Sequence, residues 1–142
     1  MIDELNPLAA HERLQSGEYV YLDVRTVEEF VAGRPTGALN IPIGHMDQNS
    51  GRMVANPDFM KVVETLLPKD AKIIVGCKSG GRSASACQLM DQVGYQQLWN
   101  VVGGFLGKSA PGGVVIQKGW SQLGLPTEVG PAGENQAEKL GE

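Results

Sequence analysis

Long apolar runs, basic clusters and a disulfide framework are all missing from this chain. No stretch stays apolar over the roughly 20 residues that span a bilayer, and none has the apolar centre of a signal peptide, so no membrane association is expected. Lysine and arginine are scattered and the net charge is −4, which argues against a nucleic-acid or membrane-surface partner. The two cysteines, Cys77 and Cys87, lie ten residues apart, and such sparse usage predicts a reducing, cytoplasmic setting. His11 and His45 stand far apart without zinc-binding spacing, so no metal and no cofactor is expected.

What the chain does have is alternation. Its 142 residues fit one domain, large enough to bury a core without staples. Asn6-Pro7 reads as a helix cap followed by a first-turn proline. Tyr19 to Val24 is rich in strand formers, and Thr26 with Glu29 has the spacing of a capping box. Ala38 to Pro42 reads as a short strand. A helix follows Asn56-Pro57, with Phe59, Met60, Val63, Leu66 and Leu67 at a 3.6-residue period. The run Lys72 to Gly76 is almost wholly apolar, as in a parallel strand covered on both faces. Arg82 to Val93 has helical spacing, and Leu98 to Val102 is the last strand. Alternating strands and helices predict an α/β fold, a mostly parallel sheet with helices on both faces. Ligands of such sheets bind beyond the carboxyl ends of the strands. Asp23 and Cys77 both fall at such ends.

Cys77 carries the chemistry. It closes the apolar strand and opens the turn Cys77-Lys78-Ser79-Gly80-Gly81-Arg82-Ser83, directly before a helix. The thiolate is the nucleophilic form of cysteine, and little of a free thiol is ionised at neutral pH. Unpaired N–H groups and the dipole of a helix start favour an anion by about 0.3 to 1 kcal/mol, and Lys78 and Arg82 are expected to add to that. Gly80 and Gly81 let the backbone turn tightly and aim successive amides inward as an anion nest. Cys87 recurs with Ser83, Ala86, Met90 and Val93 at helical spacing, which predicts core packing rather than redox chemistry.

Several pieces of the sequence, taken in order, resemble the single-domain rhodaneses, the thiosulfate:cyanide sulfurtransferases. They are Leu22-Asp23-Val24-Arg25 with Glu28-Glu29-Phe30, Gly37 to Pro42, the loop from Cys77 to Ser83, Gly103-Gly104-Phe105, and Gly124-Leu125-Pro126. The resemblance implies a rhodanese-like fold with a five-stranded, mostly parallel sheet. It implies that Cys77 takes the outer sulfur of thiosulfate as a persulfide, releases sulfite, and passes the sulfur to cyanide, glutathione or a thiol protein. On this resemblance Lys78, Ser79, Gly80, Gly81, Arg82 and Ser83 bind the sulfur donor, while Asp23 and Arg25 support the loop.

The chain departs from the family pattern at two places. Arg34-Pro35 stands where His-Ile is common, and a changed surface turn is expected there. A tryptophan normally close behind the Gly-Gly-Phe segment is delayed to Trp120, which predicts an insertion over 107–118. Its Val114-Val115-Ile116 run suits local packing, an edge for another chain, or a cover for the crevice. The rhodanese domain is thus expected over 1–126, with a flexible polar tail over 127–142. A phosphatase of the same fold is disfavoured because the loop is C-x4-R, one residue short of the phosphate-binding C-x5-R. A mercaptopyruvate sulfurtransferase is disfavoured by Lys78 and Arg82, where small neutral residues are usual. A non-enzymatic persulfide carrier or regulatory rhodanese-like module remains an alternative.

Overall fold

The computed structural model describes residues 2–131. In chain order the elements are β1 (Ile2–Leu5), α1 (Pro7–Leu14), β2 (Tyr19–Asp23), α2 (Val27–Ala32), β3 (Arg34–Pro35), β4 (Leu39–Asn40), β5 (Gly44–Met46), β6 (Met53–Ala55), α3 (Phe59–Leu66), β7 (Lys72–Gly76), α4 (Gly81–Gln92), β8 (Gln97–Val101), β9 (Lys108–Ser109), β10 (Val115–Gln117) and β11 (Thr127–Glu128). Five strands form one sheet in the order β1-β8-β7-β2-β4, every neighbouring pair parallel. The expected α/β architecture is therefore present. The edge strand β1 was not foreseen, because Asp3 and Glu4 interrupt its apolar pattern and its pairing with β8 is invisible locally.

Side-chain alternation along the central strand divides the core. Ile73 and Val75 of β7 point to one face, where they meet Phe59, Val63, Ala86, Cys87 and Met90 from α3 and α4. Ile74 points to the other, against Ala10 of α1, Phe30 of α2 and Trp120. Each fully buried aliphatic side chain contributes about 1.5–3 kcal/mol, so a one-residue register slip in β7 would be strongly opposed. Helix α2 leaves β2 on one face and α4 leaves β7 on the opposite face. Adjacent strands whose following helices diverge create the crevice at which α/β sheets bind ligands. Asp23 and Gly76 are register partners at the ends of these two strands, so Cys77 follows directly at the end of β7 where the helices diverge.

Two expectations need correction. Arg34-Pro35 is not a surface turn: both residues are buried, and they form β3. The Arg34 guanidinium is satisfied by Phe30 O at 3.1 Å, Gly130 O at 2.6 Å and the Glu128 carboxylate at 3.1 Å. It also lies 4.6 Å over the Phe30 ring. Those partners come from the region assigned to the polar tail. Thr127 and Glu128 pair with Pro35 and Arg34 as an antiparallel ladder, so the ordered domain reaches beyond 126. The polarity that suggested fraying at Thr127 instead serves a buried cation 94 positions away in sequence. The rest of the expected tail, 132–142, lies outside the described residues.

The stretch over 107–118 holds a small antiparallel hairpin in which β10 pairs with β9. Its apolar run stays in solvent, with Val114 67%, Val115 49% and Ile116 61% exposed.

Candidate active site

Strand β7 ends at Gly76, where a Cβ would meet the Tyr21 hydroxyl, and the chain then turns through Cys77 into α4. Gly80 caps that helix at φ +119, a conformation open to glycine and strained for other residues. The turn brings the Gly80 N–H to 3.1 Å from Cys77 Sγ. Ser83 Oγ lies 3.4 Å from the same sulfur. The amides of Ser79, Gly81 and Arg82 have no acceptor among the described residues, so donors stand ready beside the thiol. Only Gly80, of the expected ring of amides, reaches the sulfur itself. Cys77 is 2% exposed, so a reagent must enter the loop to reach it.

The predicted residues divide by environment. Lys78 and Ser79 are exposed, Gly80 and Arg82 are half-buried, Gly81 is exposed at the start of α4, and Ser83 is buried. Arg82 does not stand as a lone cation beside the thiol. It makes a two-pronged ion pair with Glu29, at 2.7 Å and 2.9 Å. Burial alone would raise the Glu29 carboxyl, but hydrogen bonds from Arg82 and Thr26 overcome it and hold the group down at about 2. Lys78 forms no ion pair among the described residues and faces a crevice of about 290 Å³ that it shares with Arg25, Glu29, Phe105 and Leu106. It is therefore the available cation at the loop.

Asp23 and Arg25 form a buried pair, with side chains 2% and 3% exposed. Arg25 Nη2 donates to Asp23 Oδ2 at 2.7 Å and to Gly33 O at 2.6 Å, and the guanidinium sits 4.6 Å over the Phe105 ring. Burial pushes the Asp23 carboxyl up, and the guanidinium pulls it back. The pair ties the end of β2 to the segment behind the Cys77 loop. Asp23→Ala should therefore lower stability by about 3–5 kcal/mol, since it strands a buried cation. Urea unfolding checks this, and activity is expected to fall with stability.

The segment after β8 locks the loop from behind. Phe105 N donates to Cys77 O at 2.8 Å and Leu106 N to Lys78 O at 2.9 Å. Cys87 is fully buried in α4, and burial, with Asp91 and Cys77 adding, pushes its thiol up to about 12. It fills the core. Among the described residues no group of three or more His, Cys, Asp or Glu could hold a metal ion.

Residues 6–110 match the rhodanese-like domain family. This chain belongs to that family. It is 38% identical over 119 residues to thiosulfate sulfurtransferase 16, chloroplastic, of Arabidopsis thaliana, covering 84% of this chain and 87% of the relative. It is 30% identical over 125 residues to thiosulfate sulfurtransferase GlpE of Actinobacillus succinogenes, covering 88% and 89%. The crystal structure of Rv0390 from M. tuberculosis superposes with a TM-score of 0.73 at 27% identity, over 92% of this chain and 98% of that one.

Within this rhodanese-like domain, two supporting residues escaped the sequence reading. Asn100 of β8 accepts from Ser83 Oγ at 2.5 Å and donates to Gly80 O at 3.4 Å, so it holds both groups that contact the sulfur. Its in-strand position gave no signal. Glu29 was visible as a capping residue and within the family pattern but with no role at the loop, and its second partner lies 53 positions away. Because its carboxyl is held low, the Glu29 contribution is fully present above about 4.5, its ordinary value, and is lost as pH falls towards 2. The melting temperature of the parent should exceed that of Glu29→Gln at neutral pH, and the gap should close between those limits.

Proposed function

We propose that this protein is a thiosulfate sulfurtransferase that works through a persulfide on Cys77. The observation that carries the reading is the Cys77 sulfur at the mouth of α4, with the Gly80 N–H at 3.1 Å and further unpaired amides beside it. In the first half-reaction the Cys77 thiolate attacks the outer sulfur of thiosulfate. The sulfur–sulfur bond breaks and sulfite leaves with its electron pair. Lys78, exposed at the crevice, offsets the sulfonate charge, the Gly80 N–H donates to the sulfur, and the unpaired amides of Ser79, Gly81 and Arg82 supply further donors in the same loop. Donors preset where charge gathers lower the barrier without reorganising. In the second half-reaction cyanide, or a thiol such as glutathione or a thiol protein, attacks the outer sulfur and Cys77 leaves as thiolate.

Ser83 has a defined share in this chemistry. Its single hydroxyl proton has three acceptors in reach, Asn100 Oδ1 at 2.5 Å, Gly80 O at 3.1 Å and Cys77 Sγ at 3.4 Å, and the short Asn100 contact holds the Ser83 oxygen beside the sulfur. The two unpaired cysteines suit a reducing compartment, which supports a proposed cytoplasmic location. Intact-mass spectrometry after thiosulfate treatment tests the proposal. One added sulfur atom that disappears on addition of cyanide is expected, and a mass that never changes would end it.

A further inference from the structure

The charges of this acidic chain are unevenly placed. Between Asp70 and Glu128 the sequence holds a single acidic residue, Asp91, against Lys72, Lys78, Arg82, Lys108 and Lys118. Lys72 is paired with Glu18 and Arg82 with Glu29. Lys78, Lys108 and Lys118 are exposed and form no ion pair among the described residues. All three lie on the active loop or on the segment packed against it.

The β9–β10 hairpin belongs to the same surface. Gly80 of the loop lies beside Gly103, whose Cα faces the Gln117 side chain and the Lys118 carbonyl. Leu106, which lines the crevice and is bonded to Lys78, leads straight into β9. Three consecutive apolar residues, Val114, Val115 and Ile116, are exposed, so both faces of the ribbon stand clear of the body. Three adjacent exposed aliphatic side chains on a segment joined to the reactive loop through Gln117 and Gly103 mark an interaction surface rather than scattered exposure.

We propose that this hairpin, with the flanking lysines, docks the sulfur acceptor, and that the acceptor is a protein presenting a cysteine beside an apolar contact on an acidic surface. The inference rests on the sulfurtransferase reading above. Two observations select this occupant. Cys77 is almost covered, so a thiol carried on a protein, far larger than cyanide, must be held and directed inward, which docking achieves. A second copy of this protein would set Lys108 and Lys118 against the same charges, whereas an acidic partner matches them. In the transfer, the partner's thiolate attacks the outer sulfur of the Cys77 persulfide. One sulfur–sulfur bond forms, the other breaks, and the pair returns to Cys77 as thiolate, with no external oxidant or reductant.

The probes are two short peptides, each with one cysteine and two leucines, one otherwise rich in glutamate and the other in lysine. Transfer from thiosulfate to each is measured beside transfer to cyanide. The acidic peptide should be favoured in kcat/KM by about tenfold at low salt, and less as salt rises. Lys108→Glu with Lys118→Glu should erase that preference, and Val115→Asp with Ile116→Asp should slow the acidic peptide about fivefold. Cyanide turnover should stay unchanged in both variants, which also certifies their folding. Equal use of the two peptides by the parent would overturn the inference. So would cyanide turnover that falls in step with peptide transfer, or a dimer that the aspartate variant dissolves. Absence of cyanide turnover in the parent would remove the sulfurtransferase reading itself, and this inference with it.

Discussion

Replacing Cys77 by serine should abolish sulfur transfer and leave the fold intact. The side chain changes by one atom, and the Gly80 amide and the Ser83 hydroxyl remain able to hydrogen-bond to an oxygen in that place. What disappears is a sulfur nucleophile, and a hydroxyl without an adjacent general base cannot replace it. No His lies near the loop in sequence to act as such a base. Removing a sole nucleophile elsewhere lowers kcat by roughly 10⁶, so activity should sink to background. Thiosulfate:cyanide turnover and intact mass read the chemistry, and circular dichroism reads the fold. A serine variant that still gained sulfur would move the chemistry to another atom.

Gly104→Ala should be nearly as damaging, through geometry alone. Gly104 has φ +54, where a Cβ costs about 1–2 kcal/mol. The added carbon would also meet the carbonyl carbon of Lys78 at 2.7 Å and its oxygen at 2.8 Å, with the Cys77 carbonyl closer still. These are backbone atoms of the reactive loop, and they can yield only by moving the sulfur. Gly81→Ala provides the contrast, because nothing lies within 4 Å of its Cβ position and its φ is not in the left-handed region. The expectation is a kcat/KM loss of about a hundredfold or more for Gly104→Ala and near-parent activity for Gly81→Ala, with thermal melts lowered only in the former. Equal behaviour of the two variants would refute the account.

What could be read from the sequence was local in origin. The apolar run Ile73 to Val75, the capping box at Thr26 and the glycine turn after Cys77 each carry their meaning within a few residues. All three elements stand where expected. What could not be read depends on partners far along the chain. Arg82 carries a charge whose use is decided by Glu29, and its sequence neighbours say only that it follows the loop. Arg34 looks like a surface residue until Glu128 and Gly130 close over it. Asn100 shows the same limit, since an asparagine in a strand reads as a flaw in the pattern until Ser83 is opposite it. How deeply Cys77 is covered was likewise not a local matter, because exposure is a property of the surrounding fold.

The strand that joins Thr127–Glu128 to Arg34–Pro35 bears on how the protein can be handled. Cut at Pro126, the chain would keep every piece of the family pattern and every reactive-loop residue. It would also strip the carboxylate and one carbonyl from a guanidinium that is almost wholly buried in the intact domain. A recombinant fragment is therefore better ended after Gly130 than at the last family landmark, and a fusion partner is better joined downstream of that point.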